Sequence, residues 1–296
     1  MNQMSLKQLL IYSLLLLSSR MTFGQNDQNL LSVQTILFKV TNPETQYTSF
    51  LFGTHHAFGK SFFDSLSDAN DALNRSDLLI KENLNIPGHL AEDIINSRSK
   101  ITEWKKLLNK NDLAFIELLF YSSPTNYQKM TAAEMYTFLN RYFTQQICID
   151  REETDTSLTL DDYIGLKAKE QGIELKGLET TEDQIELINQ DVAGLPTKVH
   201  KKRLANIIEK IKSRNTTYCG QSEWYAQMDI DYELENPCEN TLVLKDRNDK
   251  WMKTLEGEML SKNCFIVVGL SHLMYDCGLI NQLQNKGFIV SPISLK

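Results

Sequence analysis

Two stretches of the chain repeat one arrangement. Phe50-Leu51-Phe52-Gly53-Thr54-His55-His56 and Phe265-Ile266-Val267-Val268-Gly269-Leu270-Ser271-His272 are apolar runs that end in Gly-x-x-His. Histidine is scarce, five in 296 residues, so its repeated placement just past an apolar run is a chemical signal. Glycine permits a sharp exit from a strand and close approach of a neighbour. Three residues on, a side chain can turn back over the sheet edge, where the ligand sites of open α/β sheets lie. Leu78-Leu79-Ile80-Lys81-Glu82 delivers a carboxylate from a third strand end. His56, His272 and Glu82 thus make a candidate two-histidine, one-carboxylate set for zinc, manganese, cobalt or iron. Such a metal lowers the pKa of bound water and polarises a carbonyl, so the implied reaction is hydrolysis of an amide or ester.

Taken singly, each piece is weak. One Gly-x-x-His arises by chance, and Glu82 alone reads as a solvated strand-end acid. His55 is the alternative to His56: strand alternation sets the two on opposite sides, and a one-residue slip of register exchanges their roles. His89 and His200 follow no strand and read as surface residues.

The elements that must position these groups are legible in outline. Ser32 to Val40 and Tyr47 to Phe52 read as a hairpin about the turn Asn42-Pro43-Glu44-Thr45. Ser65 to Asn74 has helical spacing, and Leu78 to Ile80 is a short strand buried on both faces. Ala91 to Gln146 is mainly helical, broken at Ser123-Pro124-Thr125-Asn126. Leu160 to Gln171 reads as a helix, Ile173 to Leu178 as a strand, and Thr180 or Thr181 as the cap of a helix with acids in its first turn. Helices follow over Lys198 to Lys212 and Val243 to Leu260. Strand Cys264 to Val268, helix Leu279 to Gln284 and strand Phe288 to Ile293 close the chain. The predicted fold class is α/β or α+β: a mixed sheet from two pseudo-repeated halves, with helices around it and a helical insertion between.

Residues 1–24 read as a secretory signal peptide, with Lys7 before the apolar Leu9 to Leu17 and a small-residue cleavage site at Thr22-Phe23-Gly24. Residues 25–296 are then one exported domain, periplasmic or secreted, with no stable membrane anchor. The whole chain carries a formal charge of −7, and the removed segment takes Lys7 and Arg20 but no acid with it. So acidic a chain without a basic run is a poor partner for nucleic acid. Of five cysteines, Cys219 and Cys238 are the preferred disulfide in an oxidising compartment. Cys264 and Cys277 read as buried thiols, and the odd total leaves at least one unpaired. No Cys-x-x-Cys spacing suggests a structural zinc.

The hairpin leading into Leu51 to His56, followed by Ser76-Asp77-Leu78-Leu79-Ile80-Lys81-Glu82, resembles the amino-terminal signature of the TraB/PrgY/GumN family, which includes the TIKI proteases. Leu160-Asp161-Asp162-Tyr163 with Lys176-Gly177-Leu178-Glu179-Thr180 and Gln184 is similar to its central block. Lys245 to Met252 is similar to its Arg-Asn helix, and Val268 to Leu273 with Gly278-Leu279-Ile280 and Gly287-Phe288 to its closing block. The resemblance implies a fold akin to erythromycin esterase and the ChaN-type haem-binding lipoproteins. It also implies a metal-dependent peptidase acting on a peptide or small-molecule substrate, with His56, His272 and Glu82 in the places of the required residues. His55 stands where the family usually has an aliphatic residue.

Arg247 falls in the Arg-Asn block, where two roles stay open. It stabilises developing negative charge or grips a substrate carboxylate, or it only fixes Glu82 or Glu179. Glu179 is a candidate second acid or general base, Gln184 braces its turn, and Trp251 belongs to the core. Two other function classes fit the same cleft: a non-catalytic protein that sequesters a peptide or haem-like ligand, and a metal-independent esterase.

Overall fold

Runs that are apolar on both sides belong inside a sheet, and the two that end in Gly-x-x-His lie at its centre. The computed structural model describes residues 34–149 and 159–295; the expected signal peptide lies outside them. The strands are β1 (Leu37–Thr41), β2 (Thr48–Thr54), β3 (Leu78–Lys81), β4 (Glu174–Gly177), β5 (Cys264–Gly269) and β6 (Ile289–Pro292). They form one mixed sheet in the order β4-β3-β5-β2-β1-β6. β4, β3, β5 and β2 run parallel to one another. β1 is antiparallel to both β2 and β6. The fold class is therefore as read from the sequence.

β2 and β5 are parallel neighbours, with Gly53 opposite Val268 and Thr54 opposite Gly269. From these central strands the chain leaves in opposite directions. After β2 it passes over to β3, beyond β5. After β5 it passes to β6, beyond β2 and β1. Both glycines serve close approach rather than unusual dihedrals. Gly269 has an ordinary φ of −55°, and a Cβ on Gly53 would meet Leu270 Cδ1 at 2.7 Å.

Eleven α-helices are present among the described residues. Between β2 and β3 lie α1 (Lys60–Asp64) and α2 (Ser67–Asn74), where the sequence suggested one helix. Then come α3 (Ala91–Ser97), α4 (Lys110–Leu119), α5 (Ala132–Phe143) and α6 (Leu160–Glu170), before β4. α7 (Thr181–Gln190), α8 (Thr197–Lys212), α9 (Gly220–Gln227) and α10 (Asp246–Met259) precede β5, and α11 (Leu279–Asn285) precedes β6. The expected helical insertion has its own core: Ile116 of α4, Leu139 of α5 and Leu204 and Ile208 of α8 are fully buried in one cluster. A π-wound turn, Thr241–Lys245, runs straight into α10, a type of irregularity frequent at functional sites.

The disulfides correct the expected pairing. Cys219 joins Cys148 and Cys238 joins Cys277, so Cys277 is not a free thiol. Closeness in sequence does not bring Cys219 to Cys238, because the eight-residue α9 carries the chain away between them. Among the described residues only Cys264 is free, buried in β5 as expected, and burial pushes its thiol up to about 11. The Cys148–Cys219 bridge closes a separation of 71 residues, which in the chain-entropy picture stabilises by about 4 kcal/mol. The paired Cys148→Ser/Cys219→Ser variant is expected to lose roughly that in urea unfolding. A loss under about 1 kcal/mol would mean that helix packing alone fixes these ends.

Candidate functional site

Each group of the site sits where a strand or helix ends. Glu82 is the residue after β3, and His272 lies in the 3-10 turn Leu270–Leu273 that follows β5. Glu179 follows β4 by two residues. Arg247 and Asn248 stand in the first turn of α10.

These five side chains form one network. Arg247 Nε donates to Glu179 Oε2 at 3.1 Å, and Nη2 donates to Glu179 Oε1 and, at 2.7 Å, to Glu82 Oε2. The grip on Glu179 is bidentate, the geometry that a planar guanidinium favours. The other Glu82 oxygen accepts the Gly269 N–H at 2.7 Å. A Cβ at Gly269 would sit 3.3 Å from that same oxygen, so the glycine of the second Gly-x-x-His is the bare backbone that receives Glu82. Gln184 Nε2 donates to Glu82 Oε2 at 3.4 Å and its Oε1 accepts from Asn83 Nδ2 at 3.2 Å, a bracing role.

The tautomer of His272 follows from its neighbours. Asn248 donates through Nδ2 to the carbonyls of His272 and Cys277, at 3.2 and 2.9 Å, so its Oδ1 is free only to accept. His272 Nδ1 lies 2.7 Å from that oxygen and must carry the proton. Nε2 is then a lone pair, and it accepts from Arg247 Nη1 at 2.9 Å. Trp251, buried as expected, covers both: its ring lies 4.4 Å from that of His272 and 4.5 Å from the Arg247 guanidinium. Burial lowers the His272 pKa to about 4, with Arg247 and His56 acting in the same direction against Glu82. His272 is thus neutral at pH 7, and its 3.9 Å approach to Glu82 Oε1 is not an ion pair. Burial alone would raise the Glu82 carboxyl, but His272, Arg247, His56 and the Gly269 amide hold it below its usual value.

His56 belongs to a second, adjoining pair. Its Nδ1 is 3.0 Å from Asp161 Oδ1, and its side chain is 56% exposed. A carboxylate accepts, so Nδ1 carries a proton, and in the neutral ring Nε2 is a lone pair with no partner among the described residues. Asp161 chiefly, and Glu82 less, raise the His56 pKa above 6.5, and Arg141 opposes them. Asp161 itself lies well below the usual carboxylate range: burial opposes this, but His56 and Lys81 prevail. α6 supplies two acids in its first turn, where the helix dipole favours charge. Asp161 takes His56, and Asp162 takes the buried Lys81 at 2.8 Å. Gln145 fixes the turn from behind by donating to the His56 carbonyl at 3.0 Å.

His55 does not exchange roles with His56. It packs edge to face against Phe58 and tilted against Tyr225, with ring centroids 5.6 and 5.3 Å apart, and its Nδ1 accepts the Ala57 N–H at 3.3 Å. Burial lowers its pKa to about 4. His89 is on the surface, 2.8 Å from Glu182, whereas His200 is half-buried in α8.

Glu82, His272 and Arg247 therefore meet directly, and His56 lies within electrostatic reach of both Glu82 and His272. The donor set does not fit a resident divalent ion. His272 Nε2 and one Glu82 oxygen face a guanidinium and the other Glu82 oxygen takes an amide, which leaves His56 Nε2 as the one open donor of the three. Among the described residues, no group of three or more His, Cys, Asp or Glu side chains is arranged to hold a metal. Sequence reasoning gave no role to Asp161 or Asn248, although both lie in blocks it singled out. A cavity of about 470 Å³ lies at the other ends of these strands, beside Thr48 and Asn263, with Asp68, Asp71 and Arg75 in its wall. It holds none of these groups.

The His272 assignment carries a stability signature. Its pKa near 4 when folded lies below the value of 6.5 taken for the unfolded chain. Between these values the unfolded state binds the extra proton, so stability is full above pH 6.5 and falls as pH drops toward 4. The loss attributable to His272 is about 3 kcal/mol by pH 4, and it should appear as a urea midpoint that declines from pH 7 toward 4. His272→Gln should remove about half of the histidine-linked slope, because His55 is lowered over the same range; an unchanged slope would refute a neutral buried ring.

No curated protein and no solved structure matches the chain. Among the described residues, no helix is long and apolar enough to cross a membrane. The profile of the TraB/PrgY/gumN family matches residues 36–292, most of the chain, and the protein belongs to that family.

Proposed function

We propose that the protein is a hydrolase of peptide or ester bonds in which His56 is the general base. The observation that carries this reading is the His56–Asp161 pair. One ring nitrogen is fixed by a half-buried carboxylate, and the other is an open lone pair at an exposed position beside a charged cluster. In the reaction, His56 Nε2 takes a proton from water as its oxygen attacks the carbonyl carbon. The imidazolium formed is stabilised by Asp161 and returns the proton to the leaving group as the tetrahedral intermediate collapses. Arg247 uses four of its five N–H donors within the network, which leaves one on Nη1 for the developing oxyanion.

Manganese, cobalt or zinc has no step in this reading, because two of the three expected ligands, His272 and Glu82, already face Arg247. An exported, oxidising location is supported by the two disulfides. The test is turnover of a peptide library and an ester panel by the purified chain, with His56→Ala in parallel. Cleavage by the wild type, reduced about 10²–10⁴-fold in the variant, is the expected result. Binding that weakens in His56→Ala, with no product from either protein, would replace this reading with that of a ligand-sequestering protein.

A further inference from the structure

The place that a two-histidine, one-carboxylate reading gives to a metal is taken by a side chain. Arg247 faces Glu82, Glu179 and the bare Nε2 of His272 at once, at 2.7, 3.1 and 2.9 Å for the best-placed contacts. All four groups are largely shielded from solvent: the side chains of Glu179 and His272 are 4% exposed and those of Arg247 and Glu82 are 13% and 15%. The acceptors are arranged for a flat, forked cation. Glu179 meets the Nε/Nη2 edge with both oxygens, Glu82 meets Nη2, and the imidazole lone pair meets Nη1. A divalent ion instead draws its donors in to about 2.0–2.2 Å about one point. It would also have to enter beside a fixed positive charge.

We propose that Glu82, Glu179 and His272 form a guanidinium site, filled in cis by Arg247, and that the cation of this cleft is organic and built in rather than a metal. His272 is then an acceptor that orients Arg247, held by Asn248, and the Trp251 ring closes one face of the cation. This arrangement holds whether or not the cleft hydrolyses anything, because it concerns binding alone. It also gives the sequence motif a different meaning: the Gly-x-x-His after β5 places a lone pair toward an arginine, while the one after β2 places a base toward solvent.

Chemical rescue tests this. Arg247→Ala should unfold at a lower temperature than the wild type, and ethylguanidinium, which restores both stem and head, should raise its midpoint toward the wild-type value. Ethylammonium, with the charge but not the fork, should do so at least about tenfold less effectively on a concentration scale. Cobalt(II) or manganese(II) should shift neither protein, and the visible absorption of cobalt should show no bound species in the untagged wild type. Stoichiometric uptake of cobalt by the wild type, lost in His272→Gln, would overturn the proposal. So would an Arg247→Ala protein that folds and is rescued equally by both amines, or by neither. Should that variant not fold, Arg247→Lys keeps the charge without the fork. It is expected to melt below the wild type and still ignore cobalt; a wild-type melting temperature in Arg247→Lys would also overturn the proposal.

Discussion

Asp161→Asn is expected to lower kcat/KM by about 10²–10⁴-fold while leaving the fold intact. The reason is the tautomer. A carboxylate can only accept, so it holds the proton on His56 Nδ1 and leaves Nε2 able to take one from water. An asparagine amide can donate to Nδ1 instead and drive the proton to Nε2, where it blocks the base. The pH profile separates this from a general loss of structure. His56 must be neutral to act, so activity falls on the acid side through its pKa, which Asp161 holds above 6.5. Removing the negative charge should move that limb toward lower pH as the plateau drops. His56→Ala and the double variant should be no worse than the worse single variant, since the two residues act as one unit. An Asp161→Asn enzyme with a wild-type rate and an unmoved limb would exclude His56 as the base.

Removing Arg247 should have the largest effect on stability. Arg247→Met leaves Glu82 and Glu179 buried without their cation, and losing one partner of a buried pair costs about 3–5 kcal/mol. The figure refers to breaking the pair, not to the worth of the ion pair over an apolar replacement. The Arg247→Met/Glu179→Gln double variant should therefore recover part of the loss, because one of the two stranded charges is gone. A cycle of urea unfolding measurements gives the coupling directly. The deficit should also shrink at acid pH, where stranded carboxylates protonate. A single variant within about 0.5 kcal/mol of wild type would mean that water already screens these groups.

The sequence determined much of the scaffold. Apolar runs bounded by polar residues located β2, β3 and β5, since a strand buried on both faces has few other ways to be written. Glycine and histidine spacing pointed to the carboxyl ends of two strands, which prove to be adjacent and parallel. Glu82, Glu179, Gln184, Arg247 and Trp251 were each singled out, and each stands in or against the network. Helix starts were legible too: Thr180 caps α7 through Asp183, a local device that needs no tertiary partner.

What only the tertiary structure decided are the partnerships. Asp161 lies 105 residues from His56, and Cys148 lies 71 from Cys219. No spacing encodes such contacts, because they depend on how helices pack after the local elements have formed. The same holds for the cation. A histidine and a glutamate at strand ends read as metal ligands because their donor atoms suit a metal. Whether those lone pairs are free depends on Arg247, which arrives on α10 from elsewhere in the chain. Residue type fixes which atoms can donate or accept, while three-dimensional packing fixes which of them are already spoken for, and here the second fact sets the chemistry.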